Sequence, residues 1–316
     1  MSDPALMLKQ LGEPLVNSAF DEFLSSKIPS TTGREILAKF RRKWKDYSRP
    51  ALMILSCQAA GGDPKLVEPV AKALILISGA FDIHDDIVDK SVERKGKKTL
   101  LGIYGYESMM LVGDSLIIGA LSYLPSMHET IPNETVMRIA EIIKNGSFEL
   151  GSSAFEEFNF ICNCDVTPEQ YLQMVHMKAA DVESYTKIGA IVGGADEKTI
   201  EAFGRFGRVL GMVAILRDDI EDTFNDLNEL KARILNESLP LPILFSLSDV
   251  ELCPMLKSVT PSTTIKDIKE IIRHIEKQKG FEKTKDVIEK YIAEMANNLS
   301  KYRNTEKLVS LVKKRD

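Results

Sequence analysis

Apolar residues recur at helical spacing along almost the whole chain of 316 residues, and this periodicity constrains the fold more than any other feature. Runs of alternating β-branched residues, which would indicate strands, are scarce. The pattern predicts helices at Asp3 to Leu24, Thr32 to Trp44, Pro50 to Ala60, Lys65 to Lys90, Tyr106 to Ser122, Asn133 to Ile161, Pro168 to Ile191, Glu197 to Thr223, Leu239 to Leu247, Ile265 to Lys279 and Glu282 to Tyr302. No repeat or low-complexity segment divides them, so we expect one all-α domain over residues 1–316, with long central helices around a deep cavity.

One helix start is specified in detail by its residues. Thr167 is a capping residue, Pro168 follows at the first helical position, and Gln170 stands three residues after the threonine. This spacing is typical of a capping box. We therefore expect a helix to begin at Pro168.

Composition limits the class of protein and its partners. Apolar residues make up 44% of the chain and charged residues 28%, which is typical of a globular protein with a buried core. The net charge of −5 gives no general attraction for nucleic acid or for an anionic membrane. The N-terminus lacks the layout of a signal peptide. The apolar stretch Met109 to Leu124 is interrupted by Asp114 and is shorter than the ~20 residues that span a bilayer. We expect a cytoplasmic protein without stable membrane insertion and without a nucleic-acid partner.

The four cysteines do not form a recognisable site in the sequence. Cys162 and Cys164 flank a single residue, which is not the spacing of a zinc or redox motif, and Cys57 and Cys253 stand alone. We expect four unpaired thiols, as in a reducing cytosol, and no metal role for Cys162 and Cys164.

An acidic cluster lies at the end of the predicted helix Lys65 to Lys90. On a helix, Asp85, Asp86 and Asp89 would share one face, and like charges at this spacing weaken a helix by about 0.2–0.5 kcal/mol per pair. Carboxylates without His or Cys ligands nearby suit a hard divalent cation such as Mg²⁺. The alternative is a solvated acidic face followed by the basic loop 94–98.

A second copy of the pattern favours the metal-binding interpretation. Asp218, Asp219 and Asp222 repeat the spacing inside another apolar helix. Two such helices facing each other would line a cavity with carboxylates. Mg²⁺ between them would bind a diphosphate and stabilise it as a leaving group.

The two motifs together resemble those of the trans-isoprenyl diphosphate synthases, the polyprenyl synthetase family. The first motif continues into Arg94-Lys95-Gly96, as it does in that family, and the resemblance covers about Arg49 to Leu247. It implies an isoprenoid-synthase-type bundle of long helices around a central cavity. It also implies Mg²⁺ as the cofactor, a homodimer, and two substrates, an allylic diphosphate and isopentenyl diphosphate.

The resemblance assigns roles residue by residue. Mg²⁺ would be held by Asp85, Asp86, Asp89, Asp218, Asp219 and Asp222. The catalytic residues would be Asp85, Asp86, Asp89, Lys178, Asp218 and Asp219. Arg94 and Lys178 would bind the allylic diphosphate, whereas Arg49, Lys95 and, less directly, Lys45 would bind isopentenyl diphosphate.

Several positions depart from the family pattern, most of them on the isopentenyl diphosphate side. Asp46 stands where the family has a lysine, Ser78 where it often has histidine or glutamine, and Ile215 where it has glutamine. Ala179 replaces a threonine, and Glu237 a lysine. Lys43 or Lys45 would have to replace the lost lysine. Three functions therefore stay open: chain elongation, ionisation of an allylic diphosphate without isopentenyl diphosphate, and a non-catalytic partner subunit of an active synthase.

Product length is set by what closes the cavity. Phe81 lies one helical turn, about 5.4 Å, before Asp85 on the same face, and Ala80 beside it is small. A growing tail would meet Phe81 or pass over Ala80. We expect a product in the farnesyl to geranylgeranyl range.

Overall fold

The computed structural model of the protein describes residues 3–26, 28–94, 96–299, 301–302 and 304–311. Its α-helices are α1 (Pro4–Ser25), α2 (Thr31–Lys43), α3 (Ser48–Ala60), α4 (Glu68–Val88), α5 (Leu100–Tyr104), α6 (Tyr106–Ala120), α7 (Leu124–Thr130), α8 (Asn133–Phe160), α9 (Pro168–Lys178), α10 (Ala180–Val192), α11 (Glu197–Asn225), α12 (Leu227–Asn236), α13 (Leu241–Leu244), α14 (Leu252–Lys257), α15 (Ile265–Lys277), α16 (Gly280–Leu299) and α17 (Glu306–Ser310). Short 3₁₀ helices cover Pro64–Val67 and Leu121–Tyr123. The strands β1 (Glu93–Arg94) and β2 (Lys97–Lys98) pair antiparallel, with Glu93 opposite Lys98 and Arg94 opposite Lys97. The all-α prediction is confirmed.

Helix starts follow the capping signals in the sequence. The backbone N–H of Gln170 donates to Thr167 Oγ1 at 3.2 Å, and the N–H of Thr167 donates to Gln170 Oε1 at 2.9 Å. The predicted capping box at α9 is therefore confirmed. Thr264 and Asp267 form a second capping box at the start of α15.

The short elements are where the structure differs from prediction. The predicted helix Pro168 to Ile191 is interrupted at Ala179, which separates α9 from α10. Alanine favours helices, so its propensity carries no signal for this break. The sequence also predicted a basic loop at 94–98, where β2 and part of β1 lie, and it predicted no helix where α12 lies.

The described residues fall into two compact units. The first comprises the described residues between 3 and 142, Tyr185–Phe203, and the described residues between 302 and 311. Within it α4 packs on α6 and α1, and buried aliphatic residues of α4 form much of the core. The rings of Phe20, Phe40 and Trp44 lie 5.7–6.2 Å apart and anchor the end of α2 against this core. This packing brings Trp44 to the C-terminal half of α4, next to Asp82.

The second unit comprises Ile143–Ser184 and the described residues of Gly204–Lys301. Its core includes Tyr171, Leu216, Leu230 and Ile234, contributed by α9, α11 and α12. On α15 the buried residues Ile268, Ile271 and Ile275 follow the three-and-four spacing of an amphipathic helix. The prediction of a single domain over residues 1–316 stays a prediction.

The expectation of four free thiols is wrong. Cys164 and Cys253, 89 residues apart in sequence, form a disulfide with their Cα atoms 6.1 Å apart. Cys57 and Cys162 are free thiols. Spacing along the chain gave no sign of the pair, because the loop after α8 meets α14 only through the fold.

One helical segment of the described residues, Tyr106–Thr130, is long and apolar enough by length and composition to cross a membrane. This segment is longer than the apolar stretch Met109 to Leu124 considered in the sequence, because it extends from Tyr106 to Thr130. About a third of the apolar window, 35%, is buried in the structure. A core helix can pass the same test, so length alone does not indicate a membrane span.

Candidate active site

The first aspartate-rich motif lies at the C-terminal end of α4. Asp85 and Asp86 belong to its last turn, and Asp89 is the C-cap residue, whose N–H donates to the carbonyl of Asp85 at 2.9 Å. No basic residue lies in that turn. Carboxylates at a helix C-terminus face the negative end of the helix dipole, which costs about 0.3–1 kcal/mol at an exposed position. A bound cation would relieve this cost.

A cavity of about 450 Å³ opens beside this motif within the first unit. Carboxylates and cations share its lining, with Asp85 and Asp86 on α4, Lys43 at the end of α2, and Arg94 on β1. The remaining lining residues are Phe40, Trp44, Asp82, Ile83, Thr99, Leu100 and Met109. This combination suits a phosphorylated ligand bound together with a divalent cation.

Arg94 stands close to the first motif, as predicted from its sequence position. Its Nη2 lies 3.4 Å from Asp86 Oδ1, and its side chain remains about half exposed. Burial raises the pKa of Asp86, while Arg94 opposes this rise and Asp85 adds to it. Lys95, the neighbouring predicted ligand, lies outside the described residues.

Asp82 forms a part-buried polar contact in the lining of the cavity. Trp44 Nε1 donates to Asp82 Oδ2 at 2.5 Å. Burial raises the pKa of Asp82 to about 6, although Arg49 and the Trp44 hydrogen bond lower it. Trp44 therefore has a polar role that its position in the sequence did not suggest.

Arg49 is already paired with an acid of its own chain. Its Nη1 lies 2.5 Å from Oδ2 of Asp46, the residue at the family's lysine position. Arg49 also lowers the pKa of Asp82, so it sits near two carboxylates. Its positive charge is largely cancelled within the fold, which weakens its predicted role as a diphosphate ligand.

In the basic tract 41–45, Lys43 is the residue that lines the cavity. Arg41 instead stacks on the ring of Phe20 at 5.9 Å and bonds to Asn17. Lys45 is exposed between α2 and α3, and the structure does not bring it into the cavity lining. Of the two lysines considered as replacements, the geometry favours Lys43.

Three further positions near the first motif have local explanations. Ser78 is buried and its Oγ lies 3.1 Å from the hydroxyl of Tyr185. A Cβ on Gly113 would lie 2.5 Å from His84 Nε2, so this glycine lets α6 approach the motif. Phe81 is half-buried and is not part of the lining of the 450 Å³ cavity.

The second motif lies near the end of α11, in the second unit. Asp218 is exposed and Asp222 is about one-third exposed, but Asp219 is buried. Tyr171 donates to both oxygens of Asp219, at 3.0 and 2.8 Å, and the N–H of Leu241 donates to Oδ2 at 3.2 Å. Both oxygens of Asp219 are thus engaged within the fold, and its predicted role as a metal ligand stays a prediction.

Arg233 on α12 is a residue of this motif's surroundings that sequence reasoning missed. Its Nη2 lies 2.9 Å from Asp219 Oδ1 and its Nη1 lies 3.4 Å from Asp222 Oδ2. Its Nε lies 3.3 Å from Oε2 of Glu237, the acid at the family's lysine position. One sequence pattern could have indicated this helix: Leu230, Arg233 and Ile234 follow the capping residue Asp226 at helical spacing.

Asp218 carries the strongest sign of crowded negative charge. Although the residue is exposed overall, partial desolvation of its carboxyl group and the neighbouring Asp222, Asp219 and Glu221 raise the pKa of Asp218 to about 6, against a smaller opposing effect of Arg233. A divalent cation at Asp218 and Asp222 would relieve this repulsion. The donor atoms of both motifs are carboxylate oxygens, the set that Mg²⁺ prefers.

Lys178, the predicted allylic diphosphate ligand, ends α9 and pairs with Oε2 of the buried Glu157. Ser238 Oγ donates to the other oxygen of Glu157 at 2.7 Å. Burial alone would raise the pKa of Glu157, but Lys178, Ser238 and Arg233 together lower it. Glu157 was not foreseen from the sequence. A diphosphate binding to Lys178 would have to share it with this carboxylate.

A different donor set occurs in the second unit. Ligand atoms of Asp249, Glu251 and His274 lie within 4.8 Å of one another. His274 Nδ1 and Asp249 Oδ2 already bond to each other at 2.8 Å. No residue of this group belongs to either aspartate-rich motif.

Known proteins similar to this chain belong to one family. The model of the polyprenyl synthetase family matches residues 45–275. A short chain isoprenyl diphosphate synthase of Methanothermobacter thermautotrophicus is 29% identical over 225 residues, which are 71% of this chain and 66% of the relative. Component 2 of the Bacillus subtilis heptaprenyl diphosphate synthase is 27% identical over 84% of this chain and 76% of its own length.

The crystal structure of geranylgeranyl pyrophosphate synthetase from Pyrococcus horikoshii has a TM-score of 0.85 and 23% identity, covering 98% of this chain and 97% of that one. At this identity the likeness shows the fold. The match to the M. thermautotrophicus relative spans just under two thirds of that protein's length. The relatives are by their names isoprenyl diphosphate synthases, which are prenyltransferases, and the predicted enzyme class agrees with them. The chain belongs to the polyprenyl synthetase family, as its paired aspartate-rich motifs predicted.

Proposed function

We propose that the protein is a magnesium-dependent trans-prenyltransferase that condenses an allylic diphosphate with isopentenyl diphosphate. The observation that carries this proposal is the cavity in which Lys43 and Arg94 stand beside Asp85 and Asp86. Cations bind phosphate oxygens and carboxylates bind metal ions, so the two together suit a metal-bound diphosphate. Membership of the polyprenyl synthetase family supports the same reaction class.

The residues that would hold Mg²⁺ are Asp85, Asp86 and Asp89 on the first motif and Asp218 and Asp222 on the second. Their donor atoms are oxygens, and both sets lie where a cation would offset unfavourable charge: a helix C-terminus for the first, and crowded carboxylates for the second. When bound, Mg²⁺ neutralises the diphosphate and stabilises it as it leaves.

Arg94 and Lys178 would bind the allylic diphosphate and stabilise the charge that develops on it. The allylic carbon–oxygen bond breaks and its electron pair goes to the diphosphate. The double bond of isopentenyl diphosphate then forms the new carbon–carbon bond, and the adduct loses a proton to the released diphosphate. Preorganised cations favour this step because negative charge grows on the leaving group. Glu157 would hold Lys178 in place until the substrate arrives.

Lys43 is our candidate for the cation that binds the second diphosphate, in place of Lys45. It lines the cavity at the end of α2, whereas Arg49 is paired with Asp46. A lysine at this place would supply the positive charge that the family has at position 46. Lys95 stays a sequence-based candidate, because it lies outside the described residues.

Product analysis with Mg²⁺, an allylic diphosphate and labelled isopentenyl diphosphate tests the proposal. Label in a longer prenyl diphosphate is the expected result. Lys43→Ala should raise the KM for isopentenyl diphosphate at least about tenfold, the effect of losing roughly 1.4 kcal/mol of binding. Lys45→Ala, two residues away and outside the cavity lining, is the matched control and should change this KM less than about twofold. Equal effects of the two substitutions would contradict the assignment of Lys43.

A second function is favoured by one specific observation, the Asp46–Arg49 ion pair at 2.5 Å. An arginine neutralised in this way contributes little to binding a second diphosphate. A relative that ionises an allylic diphosphate without isopentenyl diphosphate would consume the allylic substrate and yield hydrocarbon or alcohol free of label. A non-catalytic partner subunit would consume neither substrate.

We propose a product of farnesyl to geranylgeranyl length, with Phe81 limiting the tail. Phe81 lies on α4 one turn before Asp85 and is half-buried. Phe81→Ala should therefore lengthen the product, as read by chromatography of the dephosphorylated prenols. An unchanged product length would mean that Phe81, which is not part of the lining of the 450 Å³ cavity, does not limit the tail.

The proposed assembly is a homodimer and the proposed location is the cytoplasm. Large exposed apolar side chains on α8, among them Phe148 and Phe155, support an interface between copies. The B. subtilis relative is named component 2 of its synthase, so a dissimilar partner is the alternative.

A further inference from the structure

We infer that Arg233 is the positioning residue of the second aspartate-rich motif: it bridges Asp219 and Asp222, and so fixes the carboxylate of Asp222 for a metal-bound diphosphate. The inference rests on the proposed function, because it assumes that Asp222 binds the metal. Arg233 itself carries no metal-ligating atom and would act through its neighbours.

The geometry of the guanidinium group supports this bridging role. Nη2 lies 2.9 Å from Asp219 Oδ1 and Nη1 lies 3.4 Å from Asp222 Oδ2. The two aspartates are three residues apart on α11 and therefore nearly one turn apart. A planar fork can engage two carboxylates at once, which a lysine ammonium does less well.

Burial makes the bridge costly to break. Arg233 is 7% exposed and Asp219 is 1% exposed. Removing one partner of a buried ion pair leaves the other charged group without compensation in a poorly solvated place. Arg233 should therefore hold its position firmly in the folded protein.

The anchor of the bridge is itself held from other elements. Tyr171 on α9 and the N–H of Leu241 on α13 both donate to Asp219. Arg233 comes from α12, so α9, α11, α12 and α13 meet at a single carboxylate. Asp222, in contrast, is about one-third exposed. Arg233 thus connects the buried Asp219, which several elements hold in place, to the carboxylate of Asp222, which faces solvent.

The first test compares Arg233→Lys with wild type in binding Mg²⁺ together with inorganic pyrophosphate, measured by isothermal titration calorimetry. We expect the substitution to weaken binding at least tenfold. Turnover should require a correspondingly higher Mg²⁺ concentration for half-maximal rate, with a smaller change in rate at saturating Mg²⁺. Binding equal to wild type would overturn the inference.

The matched control is Arg208→Lys in the same unit. Arg208 is 8% exposed and also bridges two carboxylates, Glu183 and Glu149, neither of which belongs to an aspartate-rich motif. Arg208→Lys should lower the free energy of unfolding about as much as Arg233→Lys does, while its affinity for Mg²⁺ and pyrophosphate should stay within about twofold of wild type. A tenfold loss in this control would mean that any buried arginine has the same effect, and would overturn the inference.

A double variant keeps the inference testable where Arg233→Lys does not fold. Asp219→Asn combined with Arg233→Met removes both buried charges, and replacing a whole buried ion pair is tolerated far better than removing one partner. The asparagine oxygen can still accept from Tyr171. We expect a folded protein with at least tenfold weaker binding of Mg²⁺ and pyrophosphate, and wild-type binding would overturn the inference. Prenyl transfer by the wild type is measured in parallel, since its absence would contradict the proposed function instead.

Discussion

Two acidic residues occupy positions where the family has lysine, and each pairs with an arginine of its own chain. Asp46 contacts Arg49 three residues later, and Glu237 contacts Arg233 four residues earlier. In both cases the family's positive charge at one position is replaced by a neutral pair. In the proposed function, Lys43, which lines the cavity beside the first motif, would supply the missing positive charge. These pairs would let the chain accommodate acids beside the proposed diphosphate site.

Asp82 allows a prediction about pH and stability. Its pKa is about 6 in the folded protein, against an ordinary value of 3.8, because burial disfavours the ionised carboxylate. The folded state therefore binds the proton more tightly than the unfolded state, and this group's contribution to stability falls as pH rises from about 4 to about 6. Asp82→Asn removes the buried charge. We expect it to raise the free energy of unfolding at pH 7 by up to about 3 kcal/mol.

The difference between the Asp82→Asn variant and wild type should disappear below about pH 4, where Asp82 is protonated in both states. Urea denaturation at several pH values measures it. Asp249→Asn is a control of opposite sign, because the hydrogen bond from His274 lowers the pKa of Asp249. It should destabilise the protein at neutral pH. A pH-independent gain in Asp82→Asn would show that the buried charge is not its cause.

At the scale of elements, the long helices could be predicted, whereas several of the short ones could not. The apolar periodicity of α4, α8 and α11 extends over several turns, so their existence and the positions of both aspartate-rich motifs followed from the sequence. α12 has 10 residues and a helical pattern too short to recognise against chance. Because Arg233 lies on that helix, the residue that holds the second motif was missed along with it.

Gly189 on α10 lies against the backbone of α3. A Cβ on Gly189 would lie 2.3 Å from the carbonyl oxygen of Met53, and backbone cannot move aside cheaply. Gly189→Ala should therefore lower the free energy of unfolding by about 1–3 kcal/mol. Gly151→Ala on α8 is the control, because its Cβ meets nothing within 4 Å. It should stabilise the protein by about 0.5–1 kcal/mol through helix propensity. Chemical denaturation of both variants measures the contrast, and a loss of stability in both would contradict it.

The disulfide between Cys164 and Cys253 ties the loop after α8 to α14 across 89 residues of sequence. Closing so long a loop restricts the unfolded chain, and such cross-links contribute about 2–4 kcal/mol. Cys253→Ser should lower the free energy of unfolding by that amount under oxidising conditions. Dithiothreitol should lower the stability of wild type to the level of the variant and leave the variant unchanged. If dithiothreitol affects both proteins equally, the disulfide is not the source of the difference.

At the scale of the whole molecule, the fold class followed from periodicity, whereas pairs distant in sequence did not. Trp44 meets Asp82 across 38 residues and Tyr171 meets Asp219 across 48. The sequence around Trp44 or Tyr171 does not indicate the acidic partner, because tryptophan and tyrosine are usually expected to pack in the core. The sequence thus predicted the carboxylates of the candidate site and the nearby Arg94. The contacts of Trp44 and Tyr171 with carboxylates became visible only in the structure.

Two exposed phenylalanines on α8 bear on how copies of the protein assemble. On α8, Phe148 and Phe155 are 67% and 73% exposed and lie seven residues apart, on the same side of the helix. Aromatic side chains left in water favour association, because each can bury about 150–250 Å² in an interface. We expect the wild type to be a dimer in sedimentation velocity experiments, and Phe155→Asp to shift it toward monomer by placing a charge in the interface. Val250→Asp, at an apolar residue that is 84% exposed and lies outside α8, should leave the dimer intact. If the purified wild type is a monomer, a dissimilar partner becomes the favoured occupant of this surface. If both substitutions dissociate the dimer, added charge in general, and not the α8 face, controls assembly.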